Sequence, residues 1–257
     1  MLTQGQVTPS RIYDEYAAVY DRSGQTHFSI MAQMYLREIL RRHPVAGNRM
    51  IDLACGTGTL AVLQAEAGWE VIGLDASPAM LAEARRKQQA AGVAVTFVEA
   101  DMRCFSLPEP VDLVTCFYDS LNYLLTPDDL LRCFACVYRA LAPGGLFCFD
   151  LATQFFLRHY WQGTETYEGD GYSQVMQSSF DEATGLSTLV LRGIVKDNWE
   201  LLRQFEEVHV ERAYAAEVVD TLLSAAGLVR EALYDCFTHQ APNAASLRHF
   251  WVARRHD

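Results

Sequence analysis

The segment Ile51-Asp52-Leu53-Ala54-Cys55-Gly56-Thr57-Gly58-Thr59-Leu60-Ala61 constrains this chain more than any other stretch. A short apolar run enters a turn carrying two glycines and continues into good helix formers. Glycines in such a turn let a ligand approach the backbone closely, and the start of the following helix offers unpaired amides. Strand, glycine turn and helix in that order form the opening unit of a βαβ array. Val71-Ile72-Gly73-Leu74-Asp75, Val95-Thr96-Phe97-Val98 and Val111-Asp112-Leu113-Val114-Thr115-Cys116 repeat the strand pattern downstream. Apolar runs of this length, separated by helices, suit a parallel sheet covered on both faces. The expected fold class is α/β, a Rossmann-like doubly wound sheet.

Helix signals fall between these strands. Ser77-Pro78 and Thr126-Pro127 each place a capping side chain before a proline at the first turn. The second of these helices is expected to run to Pro143-Gly144-Gly145, and Arg85-Arg86-Lys87 to form a solvated helix face. Two earlier helices are expected over Tyr13 to Arg22 and Ser29 to Arg42. After Leu151 the rhythm changes. Ser173 to Phe180 and Leu186 to Lys196, joined through Glu182-Ala183-Thr184-Gly185, suggest an antiparallel hairpin. Ala215 to Ala226 looks helical with Gly227 as its stop, and Val229 to Cys236 and His249 to Ala253 read as returning strands. Residues 1–152 and 213–257 are therefore expected to form the core, with 153–212 a small antiparallel β lobe inserted in it.

The chain has 257 residues, half of them apolar, enough for one sizeable core. With 21 basic against 32 acidic residues the formal charge is −11, and the average field repels polyphosphates, so no nucleic-acid partner is expected. Seven cysteines without dense spacing argue against a secreted disulfide scaffold, and Cys133-x-x-Cys136 sits in an apolar helical run, which favours core packing over a metal site. No stretch approaches the ~20 apolar residues of a membrane span. A cytoplasmic protein, monomeric or homodimeric, with no membrane partner and no metal, is the expectation.

The glycine turn has a chemistry as well as a shape. Asp75 ends the second strand nineteen residues after Gly56, the usual place for a carboxylate that takes the hydroxyls of an adenosine ribose. Gly56-x-Gly58-x-x-Ala61 by itself also fits a dinucleotide fingerprint. Asp52 breaks the tie, because a carboxylate four residues before the first glycine would repel a pyrophosphate and suits a ligand bearing an ammonium and a sulfonium. Asp101-Met102, after the third strand, offers a carboxylate for an adenine amine and an apolar side chain to cover the ring.

Asp52 to Gly58, Asp75, Asp101-Met102-Arg103 and Leu141-Ala142-Pro143-Gly144-Gly145 resemble the motif series of class I S-adenosylmethionine-dependent methyltransferases. Tyr20-Asp21, Thr115 to Tyr123 and Phe205 to Tyr214 are similar to a bacterial subgroup that carries an antiparallel insertion and includes aminosugar N,N-dimethyltransferases. The resemblance implies a seven-stranded sheet with an antiparallel final strand. It also implies S-adenosylmethionine as cofactor, lying against Tyr20, Asp52, Ala54, Gly56, Gly58, Asp75, Ala76, Met80, Asp101, Met102 and Phe117. The reaction it implies is methyl transfer to a small-molecule acceptor, nitrogen slightly favoured over oxygen; the alternative is a regulator that binds the cofactor without turnover.

Methyl transfer is an in-line displacement, so alignment and a dry pocket matter most, and a base is useful without being obligatory. Candidates for the acceptor side lie after the fourth strand. Asp119 could hold a cation, accept a proton or merely cap a turn. Tyr123 stands where the aminosugar enzymes commonly carry a histidine; a phenol is a poor base at neutral pH, so an orienting role is expected. The insertion, with His159, Tyr160, Trp161, Tyr167, Tyr172 and Trp199, should supply the acceptor pocket or its lid, although most of its aromatics are expected to pack as a sheet face. The spacing around His209 does not decide between a site role and a decorated strand.

Overall fold

A computed structural model describes residues 12–197 and 200–256; Trp199 lies outside them. The chain opens with a short helix α1 (Ala17–Tyr20), a 3-10 turn over Asp21–Ser23 and a long helix α2 (Thr26–Arg42). The helix expected from Tyr13 to Arg22 thus shrinks to its second half. Its first amides have a better acceptor elsewhere: the Glu207 carboxylate takes the N–H groups of Tyr13, Glu15 and Tyr16 at 2.7, 2.9 and 3.0 Å, and Tyr13 adopts a φ of 65°.

The βα units then follow in order: β1 (Arg49–Leu53), α3 (Thr59–Glu66), β2 (Glu70–Asp75), α4 (Pro78–Ala91), β3 (Val95–Glu99), β4 (Val111–Cys116), α5 (Pro127–Ala140) and β5 (Leu141–Ala152). Ser77 Oγ accepts from the Met80 amide at 3.2 Å and Thr126 Oγ1 from the Asp129 amide at 3.1 Å, so both predicted caps form. α5 ends earlier than expected. Its last turn closes at Ala140, and Pro143 and Gly144 lie in an irregularity of β5 between the Val111–Leu141 and Leu113–Leu146 pairs, where a residue without an N–H and one at φ 79° are tolerated. Lys87 is no solvated charge. Its ammonium reaches Asp21 at 2.7 Å and Thr57 Oγ1 at 3.0 Å, tying α4 to the N-terminal segment and the glycine turn.

After β5 come α6 (Gln154–His159), β6 (Gly163–Gly169), β7 (Tyr172–Asp181), β8 (Leu186–Asp197), β9 (Glu200–Arg212), α7 (Ala216–Ala225), β10 (Leu228–Asp235) and β11 (Arg248–Arg255). The main sheet has seven strands in the order β10-β11-β5-β4-β1-β2-β3. β1 to β5 run parallel, and β11 lies antiparallel to both β5 and β10. α5 and α7 cover one face, where Phe134, Phe147, Phe149 and Trp251 interleave; Phe149 and Trp251 stack at 5.2 Å. α2 and α3 cover the other with Leu36, Ile39 and Leu60.

β6 to β9 form a separate four-stranded antiparallel sheet between β5 and α7 in the chain. β6 was not legible because all seven of its residues are exposed, which leaves no apolar alternation to read. The insertion's aromatics divide: Tyr172 is buried with Tyr16, Leu191 and Phe205, whereas Tyr160 and Tyr167 face solvent. No helix among the described residues is long and apolar enough to cross a membrane.

The two glycines of the turn differ in what they tolerate. Gly58 has φ 71°, and a Cβ there would lie 2.8 Å from the Ala84 Cβ and 2.9 Å from the Phe97 ring; at Gly56, φ 54°, nothing lies within 4 Å. Gly58→Ala is expected to cost about 2–4 kcal/mol from strain plus overpacking, and Gly56→Ala about 1–2 kcal/mol from backbone strain alone. Urea unfolding checks this order; equal losses would contradict it.

Candidate active site

A cavity of about 390 Å³ opens where the C-terminal ends of β1, β2, β3 and β4 meet. Strand order reverses between β1 and β4, so the two loops there diverge and leave a crevice, the usual ligand position in open α/β sheets. Tyr20, Asp52, Ala54, Gly56, Asp75, Ala76, Met80, Asp101, Met102, Phe117 and Tyr123 line it, as do Tyr13 and Tyr118. Gly58 and Asp119 do not. Gly58 packs against α4 and β3 instead, and Asp119 turns toward β11.

Asp75 organises the glycine turn. Its Oδ2 accepts the Gly56 amide and its Oδ1 the Ser77 amide, each at 2.8 Å. Burial raises its carboxyl and these backbone bonds oppose the rise. Each oxygen keeps a further lone pair for a ligand hydroxyl. Asp52, 3% exposed, accepts the Thr115 hydroxyl at 2.7 Å. Burial pushes its carboxyl up to about 7, with the Asp75 charge adding to the rise and the Thr115 bond opposing it.

Asp101 is committed in part. Arg103 reaches its Oδ2 at 2.6 Å and donates its amide to Oδ1 at 2.8 Å, and this pairing holds the carboxyl below its usual range. Arg103 also reaches Asp129 at 3.2 Å, which fixes the Asp101-Met102 loop against the start of α5.

The loop after β4 stores backbone strain. Tyr118 and Asp119 take φ of 62° and 55°, conformations costly to side chains with a Cβ. Asp150 on β5 holds them there, accepting the Tyr118 amide at 2.7 Å and the Asp119 amide at 3.3 Å. Arg248 from β11 pairs with Asp150 and, at 3.0 Å, with Asp119, and its guanidinium lies 5.0 Å from the Phe28 ring centre. Asp119 therefore already has its cation. Sequence order gives no hint of this cluster, because Asp119 and Arg248 are 129 residues apart.

Tyr123 sits on a single 3-10 turn, Ser120–Tyr123, which Asn122 anchors by accepting the Ala152 amide at 3.0 Å and donating to the Arg212 carbonyl at 2.9 Å. The Tyr123 hydroxyl lies 2.9 Å from the Tyr13 hydroxyl and 2.9 Å from His209 Nδ1. Burial drives both phenols well above their ordinary range. Tyr13, not singled out from sequence, and His209, left open there, are thus joined to a predicted site residue. The one signal for Tyr13 is its place just before the Tyr20-Asp21 pair.

A methyltransferase-domain family model matches residues 50–145. The Bacillus subtilis protein YqeM, named as a methyltransferase, is 31% identical over 245 residues, covering 95% of this chain and 97% of that protein. The chain belongs to the class I S-adenosylmethionine-dependent methyltransferases. A solved Clostridium acetobutylicum enzyme of this kind superposes with TM-score 0.84 at 24% identity, covering 95% of this chain and 99% of that one. The sugar N-methyltransferase KedS8 from Streptoalloteichus superposes with TM-score 0.79 at 24% identity over 100% and 99%.

The residues of this methyltransferase fit its cofactor on two structural grounds. The clamped Asp75 carboxylate presents free lone pairs beside an approachable backbone, as ribose hydroxyls require, and among the described residues the buried Asp52 has one hydroxyl partner and no cation. A cationic ligand next to Asp52 favours its ionised form. The carboxyl that titrates near 7 in the free protein then falls, so binding releases a proton around neutral pH, and affinity rises with pH up to about 7 before levelling. Calorimetry at pH 7 in buffers of different ionisation enthalpy should show this release, and Asp52→Asn should abolish it; an identical release in the variant would refute the assignment. Asp75→Ala should weaken cofactor binding by about 1–3 kcal/mol through lost charge-assisted hydrogen bonds. An unchanged dissociation constant would count against the ribose role.

Proposed function

We propose that this methyltransferase acts on a small-molecule acceptor and methylates nitrogen in preference to oxygen. When bound, S-adenosylmethionine supplies a methyl carbon on a positively charged sulfur, and bond formation to the acceptor leaves the old bonding pair on sulfur. The residues placed by sequence against the cofactor, Tyr20, Asp52, Ala54, Gly56, Asp75, Ala76, Met80, Asp101, Met102 and Phe117, hold and orient it, while Gly58 lets α3 start close to α4. The likeness to a sugar N-methyltransferase supports the acceptor class.

One observation carries the preference for nitrogen. The acceptor end of the cavity presents the phenols of Tyr13, Tyr20 and Tyr123, all held protonated by burial, and Asp119, a carboxylate whose charge acts on all three, is engaged by Arg248. A neutral amine needs only its lone pair aimed at the methyl carbon, whereas a hydroxyl must lose a proton as it attacks. Phenols that stay protonated orient an amine well and deprotonate an alcohol poorly. Tyr123 is accordingly an orienting group and no base in its own right; a proton can leave through it only by passing on to a further acceptor. Asp119 acts by fixing Arg248 and the strained loop, not by taking a proton. Residues 153–212 form the lobe that borders the acceptor, and the remainder forms the cofactor-binding core.

Incubation with S-adenosylmethionine and a panel of amino-sugar nucleotides, primary and secondary amines, and phenols tests this, with S-adenosylhomocysteine release and product mass as readout. Turnover confined to amines is expected. Turnover of phenols alone would overturn the preference, and tight cofactor binding without any product would favour the regulator.

A further inference from the structure

His209 stands on β9, an element foreign to the cofactor-binding core, yet its imidazole is part of the cavity wall's hydrogen bonding. It is 2% exposed. Its Nδ1 lies 2.9 Å from the Tyr123 hydroxyl, and that hydroxyl lies 2.9 Å from Tyr13's. Its Nε2 lies 3.2 Å from Glu207 Oε2, close enough for charge contact although not aligned as a hydrogen bond. The rings of Tyr13 and Tyr123 pack edge-on to the imidazole at 5.0 and 6.0 Å. Glu207, 0% exposed, is fixed in turn by the amides of Tyr13, Glu15 and Tyr16.

We propose that Tyr123, His209 and Glu207 form a proton relay that carries the acceptor's surplus proton out of the cavity into the insertion. His209 is here a positioning residue: it acts through Tyr123 and does not touch the acceptor. The inference rests on the function proposed above. As the acceptor atom bonds to the methyl carbon, the proton it carries becomes acidic. It passes to the remaining lone pair of the Tyr123 oxygen, whose other lone pair takes the Tyr13 hydroxyl. The phenolic proton of Tyr123 moves at the same time to Nδ1 of His209, so no phenolate accumulates. The resulting imidazolium faces the Glu207 carboxylate, and the proton later returns to solvent as product leaves.

The chain must point one way for this to work. Tyr13 donates to Tyr123, Tyr123 donates to Nδ1, and the imidazole proton sits on Nε2 toward Glu207. Burial alone would raise the Glu207 carboxyl, but His209 and the three amides outweigh it and hold the group below its usual range, so the end of the relay is ionised. The other charged groups around the relay are Glu211, whose buried carboxyl is pushed well up chiefly by desolvation and then by Asp119, and Asp119 itself, paired with Arg248. Glu207 is thus the ionised carboxylate that faces the imidazolium.

Nitrogen-15 NMR of the full-length protein, with labelled histidine and S-adenosylhomocysteine bound, tests the direction of the chain without needing an acceptor. His209 is assigned from the spectrum of His209→Asn. The relay predicts an unprotonated Nδ1 and a protonated Nε2 at neutral pH, and a perturbed Nδ1 signal in Tyr123→Phe. A protonated Nδ1, or a signal indifferent to Tyr123→Phe, would overturn it. With an amine that turns over in the panel, His209→Asn should lower kcat about 100-fold and leave the S-adenosylhomocysteine dissociation constant within twofold. Unchanged kcat would also overturn the relay. Absence of any turnover would instead count against the proposed function, with the tautomer still deciding the relay.

Discussion

The Asp75 carboxylate, joining the end of β2 to the glycine turn through Gly56 and to the start of α4 through Ser77, is the contact on which the rest of the site depends. Two backbone amides that would otherwise point into a crevice are satisfied by one anion, and the anion is held in a single orientation. On the proposed reading a ribose rests on this carboxylate, and its position sets how far the sulfur reaches along the cavity. Asp52 acts differently. Burial holds it near the midpoint of its titration, so the cleft is less negative when empty than a count of its carboxylates suggests, and it regains charge when a cation arrives. On the proposed reading, preference for a sulfonium over a pyrophosphate comes partly from desolvation, because only a positive ligand stabilises the buried anion.

The second constraint is the closure of the cavity by parts distant in sequence. The N-terminal segment is pinned twice, by Glu207 at the amides of Tyr13, Glu15 and Tyr16, and by Asp21, which accepts from Thr57 at 2.6 Å and faces Lys87. Tyr13, Ala54 and Tyr118 line the cavity with positive φ, and Asp119 adjoins them in the same state. Such conformations cost of order 1–3 kcal/mol each and persist where surrounding contacts over-determine them. For Tyr13 the contact is the Glu207 carboxylate, and for Tyr118 and Asp119 it is Asp150. The insertion therefore reaches into the core, because one of its buried side chains, Glu207, holds the N-terminal segment that lines the cavity.

The βα rhythm, the caps at Ser77 and Thr126, the glycine turn and the carboxylates at strand ends were legible because they are local: apolar period, proline position and interval along the chain encode them directly. β6 was not, since an edge strand exposed throughout carries no alternation. The first helix was misjudged because propensity favours it while a carboxylate almost two hundred residues away competes for its amides. The same holds for the site. Asp75 and Asp52 could be placed from spacing, but the engagement of Asp119 by Arg248, the tie of Lys87 to Asp21 and the meeting of Tyr123 with His209 depend on how β9, β11 and α4 fold back on the cavity. Long-range pairing of this kind leaves no periodic trace in a single sequence.

A crystal structure of the protein with S-adenosylhomocysteine bound tests the central claim most directly. Both ribose hydroxyls should rest on the Asp75 carboxylate, with Asp52 near the amino-acid tail and the sulfur facing the phenols of Tyr13 and Tyr123. A ligand bound with its ribose away from Asp75, or with its sulfur directed away from the tyrosines, would contradict the account.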